Sequence, residues 1–154
     1  MGTKIEKKTI EIAKKVLSDE SEAIKSLINT IGIEFSSAID SILTSKGKVV
    51  LSGIGKSAII AQKISATFNS TGQKAVFMHA TDALHGDLGI IDGDDIIIIL
   101  SKSGNTPELK VLLPLLKRMG NKIISIVSDT SSFLAQQSDF VISAHVETEA
   151  CPLN

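Results

Sequence analysis

Short apolar runs alternate with longer amphipathic stretches along most of the chain. Val49-Val50-Leu51-Ser52, Ala75-Val76-Phe77-Met78, Ile96-Ile97-Ile98-Ile99-Leu100, Lys122 to Val127 and Phe140 to Ala144 are rich in β-branched residues and predict five strands. The isoleucine run lacks any polar alternation, the pattern of a strand covered on both faces. Between the strands, residues 56–70 and 107–119 have helix-length patterns, and 79–84 and 133–137 have shorter ones. Strands alternating with helices at this spacing predict an α/β domain with a parallel sheet and helices on both faces. Such sheets bind ligands beyond the carboxyl ends of their strands, where the strand order reverses.

Ahead of the first strand the period is helical. Ile5, Thr9, Ile12, Val16 and Leu17 share a stripe over residues 3–17, and Ser18-Asp19 supplies a break and a possible cap. From Glu20 to about Thr44, Ala23, Leu27, Ile31, Phe35, Ala38 and Ile42 recur every three to four residues and predict one long amphipathic helix. Ile24, Ile28, Ile39 and Leu43 widen its apolar face beyond what one sheet covers, which predicts association through these helices. Residues 1–45 thus read as a helical segment packing on the domain and forming an oligomer interface, and 46–154 as the α/β domain.

Composition narrows the function classes. At 154 residues and 43% hydrophobic, the chain suits one domain with a sizeable core. A formal charge of -1, with no basic run longer than Lys-Lys, argues against a general nucleic-acid surface. With a single cysteine, Cys151, there is no disulfide framework and no four-cysteine metal site. The start from Thr3 to Glu11 is charged and lacks the apolar region of a signal peptide. No apolar run approaches transmembrane length, so the expectation is a cytoplasmic chain without membrane contact.

Candidate chemistry gathers after the isoleucine strand. Ser101-Lys102-Ser103-Gly104-Asn105-Thr106 is a tight polar loop, and Thr106-Pro107-Glu108 is a helix start. Thr106 suits the N-cap, Pro107 the first helical position, and Glu108 the positive first turn. Hydroxyls, backbone N–H groups and a helix dipole are expected to converge there on one anionic group, a phosphate. Ser52-Gly53 ends the first strand and is expected to line the same crevice. In Gly53-Ile54-Gly55-Lys56-Ser57, a Walker A loop would need a glycine where Val50 stands. A dinucleotide fingerprint can be forced through Ala58, but the second strand ends in His79 rather than an acid. What remains is a close backbone approach with Lys56 beside it, a cation suited to a phosphate or an anionic oxygen. His79 and His85, with Asp82 and Asp87 nearby, lack a metal-ligand spacing. His85, in Leu84-His85-Gly86-Asp87, suits sugar binding or proton transfer.

Taken together, Ser52-Gly53-Ile54-Gly55-Lys56-Ser57, Ala83-Leu84-His85-Gly86-Asp87-Leu88-Gly89, Ser101 to Glu108 and Glu147-Thr148-Glu149-Ala150-Cys151-Pro152-Leu153 resemble the sugar isomerase (SIS) domain, and more narrowly the arabinose 5-phosphate isomerases. The resemblance implies a three-layer flavodoxin-like fold with a five-stranded parallel sheet. It implies interconversion of D-arabinose 5-phosphate and D-ribulose 5-phosphate, feeding synthesis of an eight-carbon acidic sugar of lipopolysaccharide or capsule. It also implies phosphate binding by Ser101, Ser103 and Thr106, with Gly104 and Asn105 in the same loop. Lys56, Glu108, Glu149 and His85 match catalytic or substrate-contacting positions. Members are usually tetramers whose sites contain residues from neighbouring subunits. They also continue into a Thr/Ser-rich segment and a histidine-bearing helix, and longer ones carry paired CBS domains. These are absent from the 154 residues, so the expectation divides between an isolated domain of a longer protein and a shorter homologue with lost or altered activity.

Moving a carbonyl from C1 to C2 needs a base beside the carbonyl carbon and a cation or histidine at the enediolate oxygen. Glu149 and Glu108 are both base candidates, and His85 is a candidate acid for ring opening. No metal, nicotinamide or other cofactor is chemically required. The alternative is a catalytically inactive sugar-phosphate-binding or regulatory domain with the same phosphate loop.

Overall fold

The computed structural model describes residues 4–151. Thr3, at the expected start of the first helix, and Pro152, Leu153 and Asn154 at the end of the Glu-Ala-Cys-Pro run lie outside the described residues. Five strands form one parallel sheet: β1 (Val49–Gly53), β2 (Ala75–His79), β3 (Ile96–Ser101), β4 (Lys122–Val127) and β5 (Phe140–Ser143). Their order is β2-β1-β3-β4-β5. This is the flavodoxin-like doubly wound order, and the connections leaving β1 and β3 run in opposite directions. The crevice between those two strand ends is where such a sheet takes its ligand.

Strand β3 is buried at every position, as the unbroken isoleucine run requires. Its side chains alternate between two cores. Ile97 and Ile99 join Val50, Met78 and Ile123 beneath α4 (Ala80–Ala83), α5 (Pro107–Met119) and α6 (Phe133–Gln137). Ile96, Ile98 and Leu100 join Val49, Leu51 and Ile124 beneath α2 (Ile33–Thr44) and α3 (Lys56–Ser70). The result is three layers with the sheet in the middle.

The N-terminal helices depart from the sequence expectation. Helix α1 runs unbroken over Lys4–Ser26, through Ser18 and Asp19. No proline or glycine lies between residues 3 and 31, and Lys15 pairs with Asp19 one turn on, which supports continuation. The break falls later, at a 3-10 turn over Leu27–Thr30 and at Gly32, whose extended backbone caps α2. Ser26 and Thr30 donate their hydroxyls to the Ala23 and Leu27 carbonyls, a local competition that loosens a helix end. Of the wide apolar face, Ala38 and Ile42 are buried, whereas Ile24, Ile28 and Leu43 are about 70% exposed. No residue from 5 to 26 is buried.

One polar cluster fastens the amino-terminal edge of the sheet. Asp95, whose side chain is almost wholly buried, accepts hydrogen bonds from Lys48 Nζ (2.6 Å), the Lys48 N–H (2.9 Å) and the Asp92 N–H (2.8 Å). Burial alone would raise the carboxyl's pKa. The Lys48 ammonium and the two N–H groups outweigh it and hold Asp95 below the usual carboxylate range. The hydrogen bond from Lys48 to Asp95 in turn holds the ammonium above its ordinary value. Asp95→Ala leaves the Lys48 and Asp92 N–H groups unpaired and the Lys48 ammonium with Asp92 alone, and is expected to cost about 3 kcal/mol in urea denaturation at neutral pH. Because the folded pKa is depressed, the stabilisation by Asp95 is fully present above the unfolded carboxylate value of about 3.9 and is lost as pH falls through the lower folded value. The gap between parent and variant should therefore narrow in acid.

Candidate active site

At the carboxyl end of β3, the chain turns through residues 101–106 into α5. Gly104 adopts φ +62, and a Cβ there would lie 2.1 Å from Ser132 Oγ, so both conformation and space demand glycine. The Gly104 N–H donates to Ser101 Oγ (3.1 Å), and the Gly104 carbonyl accepts from the Leu134 N–H (2.9 Å). Asn105 accepts from the Phe133 N–H through Oδ1 (3.0 Å) and donates through Nδ2 to the Ser103 carbonyl (2.9 Å). Gly104 and Asn105 therefore anchor the loop to the start of α6. Their polar groups are largely committed to the loop.

Thr106 occupies the N-cap of α5 with extended backbone angles, as expected, but its side chain makes no cap bond. Its Oγ1 is buried and without a protein partner, as is Ser52 Oγ at the end of β1. A buried hydroxyl left unpaired costs about 1–3 kcal/mol, so such atoms mark where a ligand or water is wanted. Gly53 proves to serve packing: a Cβ there would meet the Ser57 carbonyl carbon at 2.9 Å in the first turn of α3. Gly55, at φ 57, makes the turn into that helix.

A cleft of about 960 Å³ opens over these strand ends. Ser101, Ser103 and Thr106 line it, with Ile54 and Ser57 from the first glycine loop. Lys56 is exposed and lines an adjoining hollow that shares Ser57, Ser101 and Lys102 with the cleft. Ser52 and Gly53 lie buried behind the cleft wall. Glu108 is half-buried in the first turn of α5, and His85 is exposed between α4 and the 3-10 turn Asp87–Ile90. Neither His85 nor Glu108 lines the cleft.

Glu149 is tied to the Ser101–Thr106 loop by an ion pair with Lys102. The hydrogen bond from Lys102 and its charge, aided by the charge of Lys56, hold Glu149 below the ordinary glutamate range. Lys102 lines the cleft, whereas Glu149 lines a separate hollow with Ile12, Lys15 and Val16 of α1 and meets the rim only through this pair. Lys102 carries no role in the sequence expectation, although it stands inside the loop expected to take the phosphate.

Ser128, Asp129, Thr130 and His145 also line the cleft and were missing from the sequence expectation. They follow the carboxyl ends of β4 and β5. The reasoning that singled out Ser101 after β3 applies equally to Ser128-Asp129-Thr130 after β4. Ser128 Oγ and His145 Nδ1 are 3.2 Å apart. The Ser131 hydroxyl and N–H hold the Asp129 carboxyl below its usual range. Among the described residues, no group of three or more His, Cys, Asp or Glu side chains is arranged to hold a metal ion. No described helix is long and apolar enough to cross a membrane.

Known proteins resemble this chain in sequence and fold. The model of the SIS domain matches residues 42–153. A Haemophilus influenzae protein named Probable arabinose 5-phosphate isomerase is 45% identical over 145 residues, covering 94% of this chain and 43% of that protein. Arabinose 5-phosphate isomerase KdsD of Pseudomonas aeruginosa is 43% identical, covering 94% of this chain and 44% of its own length. The chain thus spans less than half the length of these two relatives. An Escherichia coli CFT073 protein solved in complex with arabinose 5-phosphate matches with a TM-score of 0.91 at 40% identity, covering 99% of this chain and 80% of that one. On the matched span, the identities and the shared fold, the chain belongs to the SIS-domain, arabinose 5-phosphate isomerase family.

Proposed function

We propose that this chain carries an aldose–ketose isomerase site that interconverts D-arabinose 5-phosphate and D-ribulose 5-phosphate through an enediol intermediate. The observation that carries the proposal is the Thr106 hydroxyl. It is buried without a partner at the N-terminus of α5, in a residue that lines a cleft sized for a small molecule. A phosphate oxygen would supply the missing partner. The names of the relatives, and the arabinose 5-phosphate bound to the Escherichia coli protein, support a pentose 5-phosphate as the molecule that brings it.

In this reading Ser101, Ser103 and Thr106 hold the phosphate while Ser52, Gly53, Gly104 and Asn105 keep the pocket in shape. Glu149 is the base that takes the C2 proton and returns one to C1, favoured over Glu108 because it pairs with Lys102 of the phosphate loop. Lys56 stabilises the charge that develops on the enediolate oxygen. An incoming phosphate competes for Lys102 and leaves Glu149 free to act. The chemistry calls for no metal or nicotinamide.

We further propose that the exposed apolar stripe of α1 and the following turn, with Ile24 and Ile28, joins copies of this chain in a homo-oligomer, a tetramer being favoured. His85, exposed and away from its own cleft, would serve a neighbouring copy's site.

Thr106→Val should separate binding from stability. Removing a buried unpaired hydroxyl is expected to leave the free protein as stable or up to about 1 kcal/mol more stable in urea denaturation. The same change should raise KM for arabinose 5-phosphate about tenfold. Glu149→Gln should lower kcat by about 10²-fold or more with a small change in KM, read from ribulose 5-phosphate formation. Full turnover in both Glu149→Gln and Glu108→Gln would contradict the carboxylate-base assignment. Phosphosugar binding by the native protein without any turnover would leave a binding or regulatory domain.

A further inference from the structure

The cleft is larger than a phosphate needs, and the wall made by the ends of β4 and β5 is the part that the isomerase roles above leave unused. His145 stands on that wall. The chain's other histidines, His79 and His85, do not line the cleft. Two backbone hydrogen bonds fix the wall, the first to the Ser101–Thr106 loop and the second between the ends of β5 and β4. The Ser128 N–H donates to the Lys102 carbonyl (3.1 Å), and the Ala144 N–H donates to the Val127 carbonyl (2.8 Å). The imidazole is held through Nδ1 by Ser128 Oγ at 3.2 Å. Its Nε2 lies 3.7 Å from Glu147 Oε1, beyond hydrogen-bond length, and stays available. A tethered imidazole with one open nitrogen is an acid–base group aimed by its other nitrogen.

We propose that His145, positioned by Ser128, is the proton-transfer group that opens the sugar ring before isomerisation. The inference rests on the isomerase reading and adds a step to it. An aldopentose 5-phosphate closes through its C4 hydroxyl into a furanose, which has no carbonyl for a base to act beside. The 2-ketose 5-phosphate has no such ring, because its C5 oxygen carries the phosphate. With the phosphate on the Ser101–Thr106 loop, C1 must lie at the far end of the molecule, and His145 offers a base elsewhere in the same cleft. His145 Nε2 takes the proton from the anomeric hydroxyl. The O–H pair becomes the C1=O π bond, and the C1–O4 pair leaves on O4. A cleft water protonates O4 and regains its proton from the imidazolium, so the step ends with the protein unchanged.

The test compares two reactions of the native protein in D2O. Conversion of arabinose 5-phosphate to ribulose 5-phosphate requires ring opening, whereas deuterium entry at C1 of ribulose 5-phosphate requires only enolisation. His145→Gln keeps an amide able to bond Ser128 and cannot transfer the proton. It should slow the conversion about 10²-fold and leave deuterium entry at the parent rate. Ser128→Ala, which retains the imidazole but not its tether, should give the same split with a smaller loss, about tenfold. Equal loss of both reactions in the two variants, or loss of neither, would overturn the assignment of ring opening to His145. Absence of both reactions in the parent protein would instead overturn the isomerase reading.

Discussion

Every polar feature of the site hangs from the burial of β3. Ile96 to Leu100 is at most 7% exposed, and alternate side chains enter the two cores on either side of the sheet. Each such side chain contributes about 1.5–3 kcal/mol on leaving water, so a one-residue slip of this strand would exchange both cores at once. With β3 fixed between β1 and β4, the residue after Leu100 has no freedom in where it emerges. Ser101 aligns with Val127 of β4, and the loop that follows must close onto the start of α5. The proposed anion site is therefore pre-organised by apolar packing in the strand that precedes it.

The charged rim is built on a different principle. Lys102 and Glu149 are both more than half exposed, and a pair of that kind contributes little to stability. Its importance is local. It favours the ionised carboxylate beside Lys56, and in the proposed reaction it is weak enough to exchange for a substrate phosphate. The buried Lys48–Asp95 pair at the opposite end of the sheet is the structural counterpart, with every carboxylate oxygen occupied. One end of the sheet is locked, and the other holds a replaceable charge and an unpartnered hydroxyl.

Much of this was legible in the amino-acid order because the signals are local. The isoleucine run, Gly104 and Thr106-Pro107-Glu108 state their own conformations, and the spacing of strands and helices dictates a doubly wound sheet. The continuity of α1 was not legible, because Ser18 and Asp19 look like a stop until Lys15 is seen pairing across the turn. The cap role of Thr106 was half right. Its backbone caps α5, but its hydroxyl is turned to a buried position that no sequence pattern distinguishes from an ordinary cap. His145 and Ser128 were missed because each is unremarkable alone, and only the neighbouring ends of β4 and β5 bring them together. Ser52 and Gly53 were expected in the crevice itself. They lie just behind it, where Gly53 lets α3 approach the sheet.

The central claim is that the phosphate loop and the carboxylate rim act on one carbon–hydrogen bond of a pentose phosphate. The most direct measurement follows the C2 proton of arabinose 5-phosphate by NMR in D2O with the native protein present. The account predicts loss of the C2 proton signal together with the appearance of ribulose 5-phosphate. Tight binding of arabinose 5-phosphate with the C2 proton fully retained would contradict it.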